Sequence, residues 1–413
     1  MFRLLANHCA AVGALPQSGV MRTYRELFAV REFTVMFALR CTVLLSVSMT
    51  SLAIGTITYD STGSTVLTAL AMFGGPLVTL IGSALVLGLS DTLKPRTALQ
   101  AQIMAMTVTA ALQAIPGLPW QARFAILVIP YVVASGTSGS NMRLLAAVVP
   151  KEGFLLGRST LNIAVGLMQV LGYATGGLLL QHLTPSDLFL VSAVAGLVSI
   201  LFCQLGIGDH PAGGGSGRLV RRTRSVNRAL LTSPVLRPVY VALWVPNGLV
   251  VGCEALFVPY GGTRAAGFLF AAAAAGMLLG DVVVGRFVPP AVRDRLLTPL
   301  RLLLAAPYLG FALHPPLVVA PVLAFVASGG YSASLVLQER VHQRAEPTTQ
   351  GQAFGLAGNG MMIGQAAGAL LGGAVAVVLA PWTAMALLGA GSLAVTLALT
   401  AGLRRSAPQP APV

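Results

Sequence analysis

Charge is scarce in this chain of 413 residues: Asp, Glu, Lys and Arg make up only 9% of it. Of its 26 basic residues only Lys94 and Lys151 are lysine. A chain that is 55% hydrophobic with a mean hydropathy of +0.81 cannot hide its apolar surface in one soluble core, so it reads as a polytopic membrane protein. Cysteine is also sparse, at Cys9, Cys41, Cys203 and Cys253, with no CxxC or Cys/His spacing. That excludes a disulfide framework and a zinc site, and no metal or other cofactor is expected. The histidines stand singly in loops and tails, and no HExxH, GxSxG or DxxD occurs, which removes the usual catalytic sets of a membrane-embedded enzyme. A net charge of +14 would point to nucleic acid in a soluble protein. Here no basic face with interleaved aromatics exists, and the charge is better explained by membrane topology.

What is present is a succession of apolar runs from Arg31 onward, each helical because a span in lipid must satisfy its own backbone hydrogen bonds. Twelve spans are predicted, at 33–58, 64–89, 97–116, 122–144, 155–181 and 187–207, then 237–258, 265–288, 296–313, 316–338, 352–379 and 382–403. Arg301 and Pro307 make the ninth the least regular, with a kink expected at the proline. Residues 1–21 form a cytoplasmic tail, or the chain starts at Met21, and 406–413 form a second tail. The first six-helix half covers 22–207, the second 237–405, and 208–236 is a basic linker whose Gly-rich start reads as flexible. Of the 26 Lys and Arg residues, 23 fall on the linker side. Arg123 and Arg264 fall on the other side, and Arg40 lies within a span. By the positive-inside rule the linker and both termini are cytoplasmic.

The halves share a repeat. Gln169 to Gly177 returns as Gln365 to Gly373, so that Gly172, Gly176 and Gly177 correspond to Gly368, Gly372 and Gly373. Glycines four apart share a helix face and let another helix approach closely. Small residues at that spacing are common in membrane helices, but the matched glutamines are costly amides in hydrocarbon and mark a duplication. The fifth and eleventh spans are expected to meet the eighth and second, where Gly276, Gly280, Gly82 and Gly88 offer small surfaces.

Six helices, a basic linker, six helices and an internal repeat together resemble the major facilitator superfamily, over about Met21 to Arg405. The resemblance implies an all-α membrane protein of twelve transmembrane helices in two pseudo-symmetric six-helix halves. Gly172-Tyr173-Ala174-Thr175-Gly176-Gly177 is similar to the antiporter signature Gly-Pro-x-x-Gly-Gly, with Tyr173 replacing the proline. Asp91 to Arg96 resembles the superfamily's loop motif, with Thr92 where a basic residue usually follows the Asp. Thr58 to Ser64 and Leu337 to Phe354 resemble turns of the drug and siderophore exporter branch, the transmembrane secretion effectors.

In that family the first, fourth, seventh and tenth helices line the substrate cavity. The resemblance therefore implies Arg40, Tyr131, Trp244, Asn247 and Tyr331 as cavity residues, with Gln169 and Gln365 facing them. Asp91, Arg96 and the glycine ladders are the conformational motifs. Ionisable groups inside spans cost roughly 2.5–3.5 kcal/mol each, so Arg40, Glu254 and Asp281 invite functional readings. Snorkelling explains Arg40 and Glu254 equally well, and a structural hydrogen bond explains either carboxylate equally well. The first span holds no acid, so proton coupling must run through Glu254 or Asp281, whose charge can change as it faces each side. The expectation is a monomeric, proton-coupled exporter of a small amphipathic molecule in the lipid bilayer of the plasma membrane. A non-transporting sensor or assembly factor, or an importer of a small metabolite, stands as the alternative.

Overall fold

The computed structural model of the chain describes residues 23–85, 93–137, 140–150, 153–211, 219–346 and 349–405. Both tails proposed from sequence, together with Asp91 and Gly88, lie outside the described residues. Among the described residues no strand occurs, and nine helices are long and apolar enough to cross a membrane. Two bent pairs bring that number to eleven. Pro95–Gln113 takes the remaining third place, its apolar face diluted by Gln100, Gln102 and Gln113. The chain is a multi-pass membrane protein.

Local chemistry sets where the spans begin and end. The first runs Arg31–Thr62 and stops at Gly63, whose φ of 62° is the left-handed cap that glycine adopts without penalty. Ser64 then accepts the Leu67 amide to start the second, Thr65–Phe73, which bends by 55° into Gly75–Gly82. The sixth, Pro185–Gly206, opens with a reciprocal capping box between Thr184 and Asp187.

The seventh span needs a closer look. Its helix Leu236–Glu254 breaks at Ala255 and Leu256, and an apparently single helix follows over Phe257–Val282 with a non-helical Gly262 inside, φ 69°. Phe257 and Phe270 have ring centroids 4.9 Å apart. In one continuous helix thirteen residues would separate them by roughly 20 Å. The chain therefore reverses at Gly262, and the seventh span continues through Phe257 to Gly261. Glu254 accordingly lies two turns inside the span's end, deeper than its position in the sequence implied.

Other expectations are corrected. The ninth helix starts earlier than expected, running Pro290–Leu309 with Pro299 and Pro307 inside before tightening into a 3-10 turn at Gly310–Leu313, and Arg301 lies within it as expected. The linker is helical over Leu219–Thr232, and Val226 and Leu230 pack against the second half. It is anchored at its start as well. Lys94 Nζ pairs with Asp209 at 2.6 Å and His210 pairs with Glu32 at 2.8 Å, tying that end to the first half.

The packing repeats with a shift of six helices. The fifth span lies on the first as the eleventh lies on the seventh. In the same way the sixth meets the third and first, and the twelfth meets the ninth and seventh. Across the halves the fifth meets the eighth and the eleventh meets the second, as expected. The glycines that make these contacts differ from those expected. A Cβ on Gly177 would lie 2.8 Å from Gly267 Cα, and one on Gly373 would lie 2.8 Å from Val66 Cα. Gly276 and Gly280 instead face Phe325 and Gly329 of the tenth span in their own half, and Gly82 faces Ser135 of the fourth. Backbone contact without a side chain between is what permits these approaches.

Candidate functional site

The fifth and eighth spans run antiparallel against each other, with Gly177 on Gly267, Tyr173 stacked on Phe270 at 4.7 Å, and Gly166 beside Leu278. The pairs that would continue this register toward the linker, Asn162 and Val282, are both exposed. On the other side of the molecule Thr65 donates a 2.6 Å hydrogen bond to the Gly373 carbonyl, while Gly351, Gly355 and Gly358 at the linker end of the eleventh span face open space. The halves are closed at the end distal to the linker and part toward it.

Between them lies a cavity of about 280 Å³. Glu254 from the seventh span, Asp281 from the eighth, Tyr331 from the tenth, Gln169 from the fifth and Gln365 from the eleventh all line it. Both carboxylates and both repeat glutamines thus converge on one space. Tyr331 stands on a 3-10 turn, Gly330–Ser332, that interrupts the tenth span between Ala320–Gly329 and Ala333–Arg344. The turn is pressed against the ninth span, where a Cβ on Gly330 would lie 2.6 Å from Leu304 Cα. From there the Tyr331 hydroxyl donates to Glu254 Oε1 at 3.3 Å. Asp281 sits just before a π-helical turn, Val283–Phe287, a form frequent at functional sites. Among the described residues no arginine, lysine or histidine lines the cavity. Two carboxylates in a space without a fixed cation can take up and release protons, and they can compensate a cationic or hydrogen-bonding guest.

The other residues expected in the cavity are placed elsewhere. Arg40 is exposed and lines neither this cavity nor the second one described below. Trp244 donates to the Ala357 carbonyl at 3.1 Å, stacks on Tyr240 and covers Gly360 and Gly364, which makes it a joint between the seventh and eleventh spans. Asn247 is buried behind the wall, donating at 3.0 Å to the Ser334 hydroxyl, which itself lines the cavity. Gly172 and Gly176 face Ser48 and Met49 of the first span, and Gly368 and Gly372 face Gly248 and Gly252 of the seventh, all within their own halves. In the loop motif Arg96 is half-buried and the ion pair to Asp209 is made by Lys94. Hydrogen bonding to Lys94 holds the Asp209 carboxyl below its usual range.

Tyr173, Phe270, Ser334 and Gln338 belong to the cavity and were not among the expected residues. Tyr173 carried a readable signal, since it stands where the resemblance expects proline, and its ring forms part of the wall. Tyr131 lines a larger cavity of about 480 Å³ in the first half, its ring packed on Gly75.

No family model matches the sequence, and none of the curated proteins matches it. Solved structures do. A POT family transporter in complex with 5-aminolevulinic acid is 13% identical with a TM-score of 0.69, covering 95% of this chain and 99% of its own. The nucleoside transporter NupG is 11% identical with a TM-score of 0.71, over 90% and 99%. A D-xylose-proton symporter is 14% identical with a TM-score of 0.67, over 93% and 99%. Likeness at this level of identity speaks to the fold alone, and the fold is the all-α, two-half membrane architecture that the resemblance implied.

Proposed function

We propose that the chain is a secondary active transporter of a small molecule, working by alternating access and coupled to protons through Glu254 and Asp281. The observation that carries this reading is the convergence of both intramembrane carboxylates on one cavity between the halves, beside Gln169 and Gln365 and with no cationic side chain among the described residues that line it. Solved structures of like fold include one named as a proton symporter and others named as transporters, which supports the class. The finer reading is efflux of an amphipathic compound across the plasma membrane, with linker and termini cytoplasmic. The turns at Thr58 to Ser64 and Leu337 to Phe354 and the distribution of basic residues favour it.

Reconstituted vesicles test both parts. Glu254→Gln and Asp281→Asn should abolish substrate movement driven by an imposed pH gradient while leaving gradient-free exchange largely intact, since exchange needs no proton release. Gradient-driven movement at wild-type rates in the double variant would overturn proton coupling through these residues. Accumulation in inside-out vesicles acidified within reports efflux, and accumulation only in right-side-out vesicles would replace it with import.

A further inference from the structure

The first half contains a chamber that the carboxylate cavity does not account for. It lies between the first, second, third, fourth and sixth spans, has a volume of about 480 Å³, and is bordered by Asn359, Met362 and Ile363 of the eleventh span. That volume falls in the range of small-molecule pockets. Its lining is unusual in two respects. Among the described residues no Asp, Glu, Lys, Arg or His contributes to it, and all five first-half spans that form it contribute a hydroxyl.

Most of those hydroxyls have already spent their proton on their own helix. Thr50 donates to the Ser46 carbonyl at 2.8 Å, Thr79 to Gly75 at 3.2 Å, Thr107 to Ile103 at 2.8 Å and Ser199 to Ala195 at 2.8 Å. Each keeps lone pairs that accept from a guest. Ser192 differs in being buried with its proton unspent. It is 7% exposed, it lines the chamber, and its hydroxyl has no hydrogen-bond partner among the described residues. A buried hydroxyl left unpaired costs free energy that a guest acceptor would recover. The chamber therefore presents the buried Ser192 hydroxyl, several acceptors and apolar walls from Ile54, Met106, Leu127 and Phe189. A charged guest would leave its charge unpaired there, at a cost far above that of a neutral one.

We infer that this chamber is a binding site for an uncharged amphipathic molecule carrying a hydroxyl or carbonyl, with Ser192 donating to it. It adjoins the carboxylate cavity through Tyr173, which lines that cavity while lying within reach of Ser51 in the chamber wall. The guest and the proton thus occupy separate compartments across one tyrosine. The inference rests on the transporter reading for the guest's role as cargo, whereas binding itself is measured without a gradient.

The experiment is a thermal-shift titration of the detergent-purified full chain with three probes of one shape, 4-bromobenzyl alcohol, 4-bromobenzylamine and 4-bromobenzoate. The alcohol should raise the midpoint, and the cationic amine and anionic benzoate should not. Ser192→Ala should weaken the alcohol's apparent affinity by roughly fivefold, the effect of one hydrogen bond, and Ser46→Phe, which fills the chamber, should abolish the shift. No shift with the alcohol, equal shifts with all three probes, or a shift that neither variant alters would each overturn the inference. Should Ser46→Phe not purify as a monodisperse protein, the Ser192→Ala titration decides alone. A protein that binds the alcohol but fails the vesicle test loses the transport reading and keeps this site.

Discussion

The Tyr331 hydroxyl lies 3.3 Å from Glu254 Oε1, and both residues stand where their helices are interrupted. The seventh span breaks just after Glu254 and the tenth is wound as a 3-10 turn around Tyr331, so each side chain leaves a helix at a point where the backbone is locally released. The pairing serves both protonation states, because a phenol donates to a carboxylate and accepts from a carboxylic acid. Tyr331→Phe removes this partner and nothing of the ring. Gradient-driven flux in reconstituted vesicles should fall by about tenfold, the worth of a hydrogen bond to a charged group, with gradient-free exchange less affected. Equal loss in both assays would assign Tyr331 to the guest and not to the proton.

The paired glycines at the ends of the repeat divide two tasks. Gly176 and Gly372 pack inside their own halves, against Met49 and Gly252, whereas the next residues, Gly177 and Gly373, pack across the interface. Gly177→Leu and Gly373→Leu should therefore leave each half folded but prevent closure at the end distal to the linker, abolishing transport with near-normal expression. Gly176→Leu and Gly372→Leu should lower expression itself. Gly351→Leu and Gly355→Leu, at positions facing open space in this conformation, should leave expression unchanged. Expression and flux measured on the six variants separate the classes, and intact transport in Gly177→Leu would refute close packing as the basis of the gate.

Much of this architecture was legible in the residues. The span order and the fifth-with-eighth and eleventh-with-second contacts were expected from apolar runs and a repeat of small residues, and the cost of charge in lipid singled out the two carboxylates that share a cavity. What was not legible depends on tertiary placement. A four-residue glycine ladder offers the same small face to any neighbour, so Gly276 and Gly280 gave no sign that they serve the tenth span. Arg40 and Glu254 look alike in sequence as charges within spans, and only the arrangement of the halves puts one in the cavity and the other at an exposed surface. The reversal at Gly262 was hidden because glycines are frequent throughout the chain, with 46 in all, and most need no positive φ.

Topology is open to direct test. Of the two basic residues on the side away from the linker, Arg123 is folded inward, where it is 5% exposed and donates to the Gln113 carbonyl at 2.9 Å and to Gln113 Oε1 at 3.0 Å. It clamps the third span to the fourth, which leaves Arg264 as the one exposed counterexample to the charge bias. Reporter fusions in the linker at Ser216 and after Arg405 should report the cytoplasm, and one at Arg264 the exterior. An exterior signal from the linker would reverse the orientation argued from basic residues.

Arg301 supplies the sharpest test of the energetics. It is 1% exposed within the ninth span, and its Nε and both terminal nitrogens have no hydrogen-bond partner among the described residues. Its electrostatic neighbour is another cation, Arg340, whose own guanidinium is fully engaged by Asp294 at 2.6 Å and the Leu403 carbonyl at 2.7 Å. An unpaired buried charge costs more than an apolar side chain of similar volume, so Arg301→Met should stabilise the protein, by about 1–4 kcal/mol on the scale of buried-charge replacements. Asp294→Asn should act in the opposite direction, because it strips Arg340 of its counter-ion and leaves two like charges facing each other. Thermal midpoints of the two variants in detergent check both signs at once. A fall in both would mean that Arg301 is paired after all, and the ninth span would then owe its place to that partner and not to apolar packing alone.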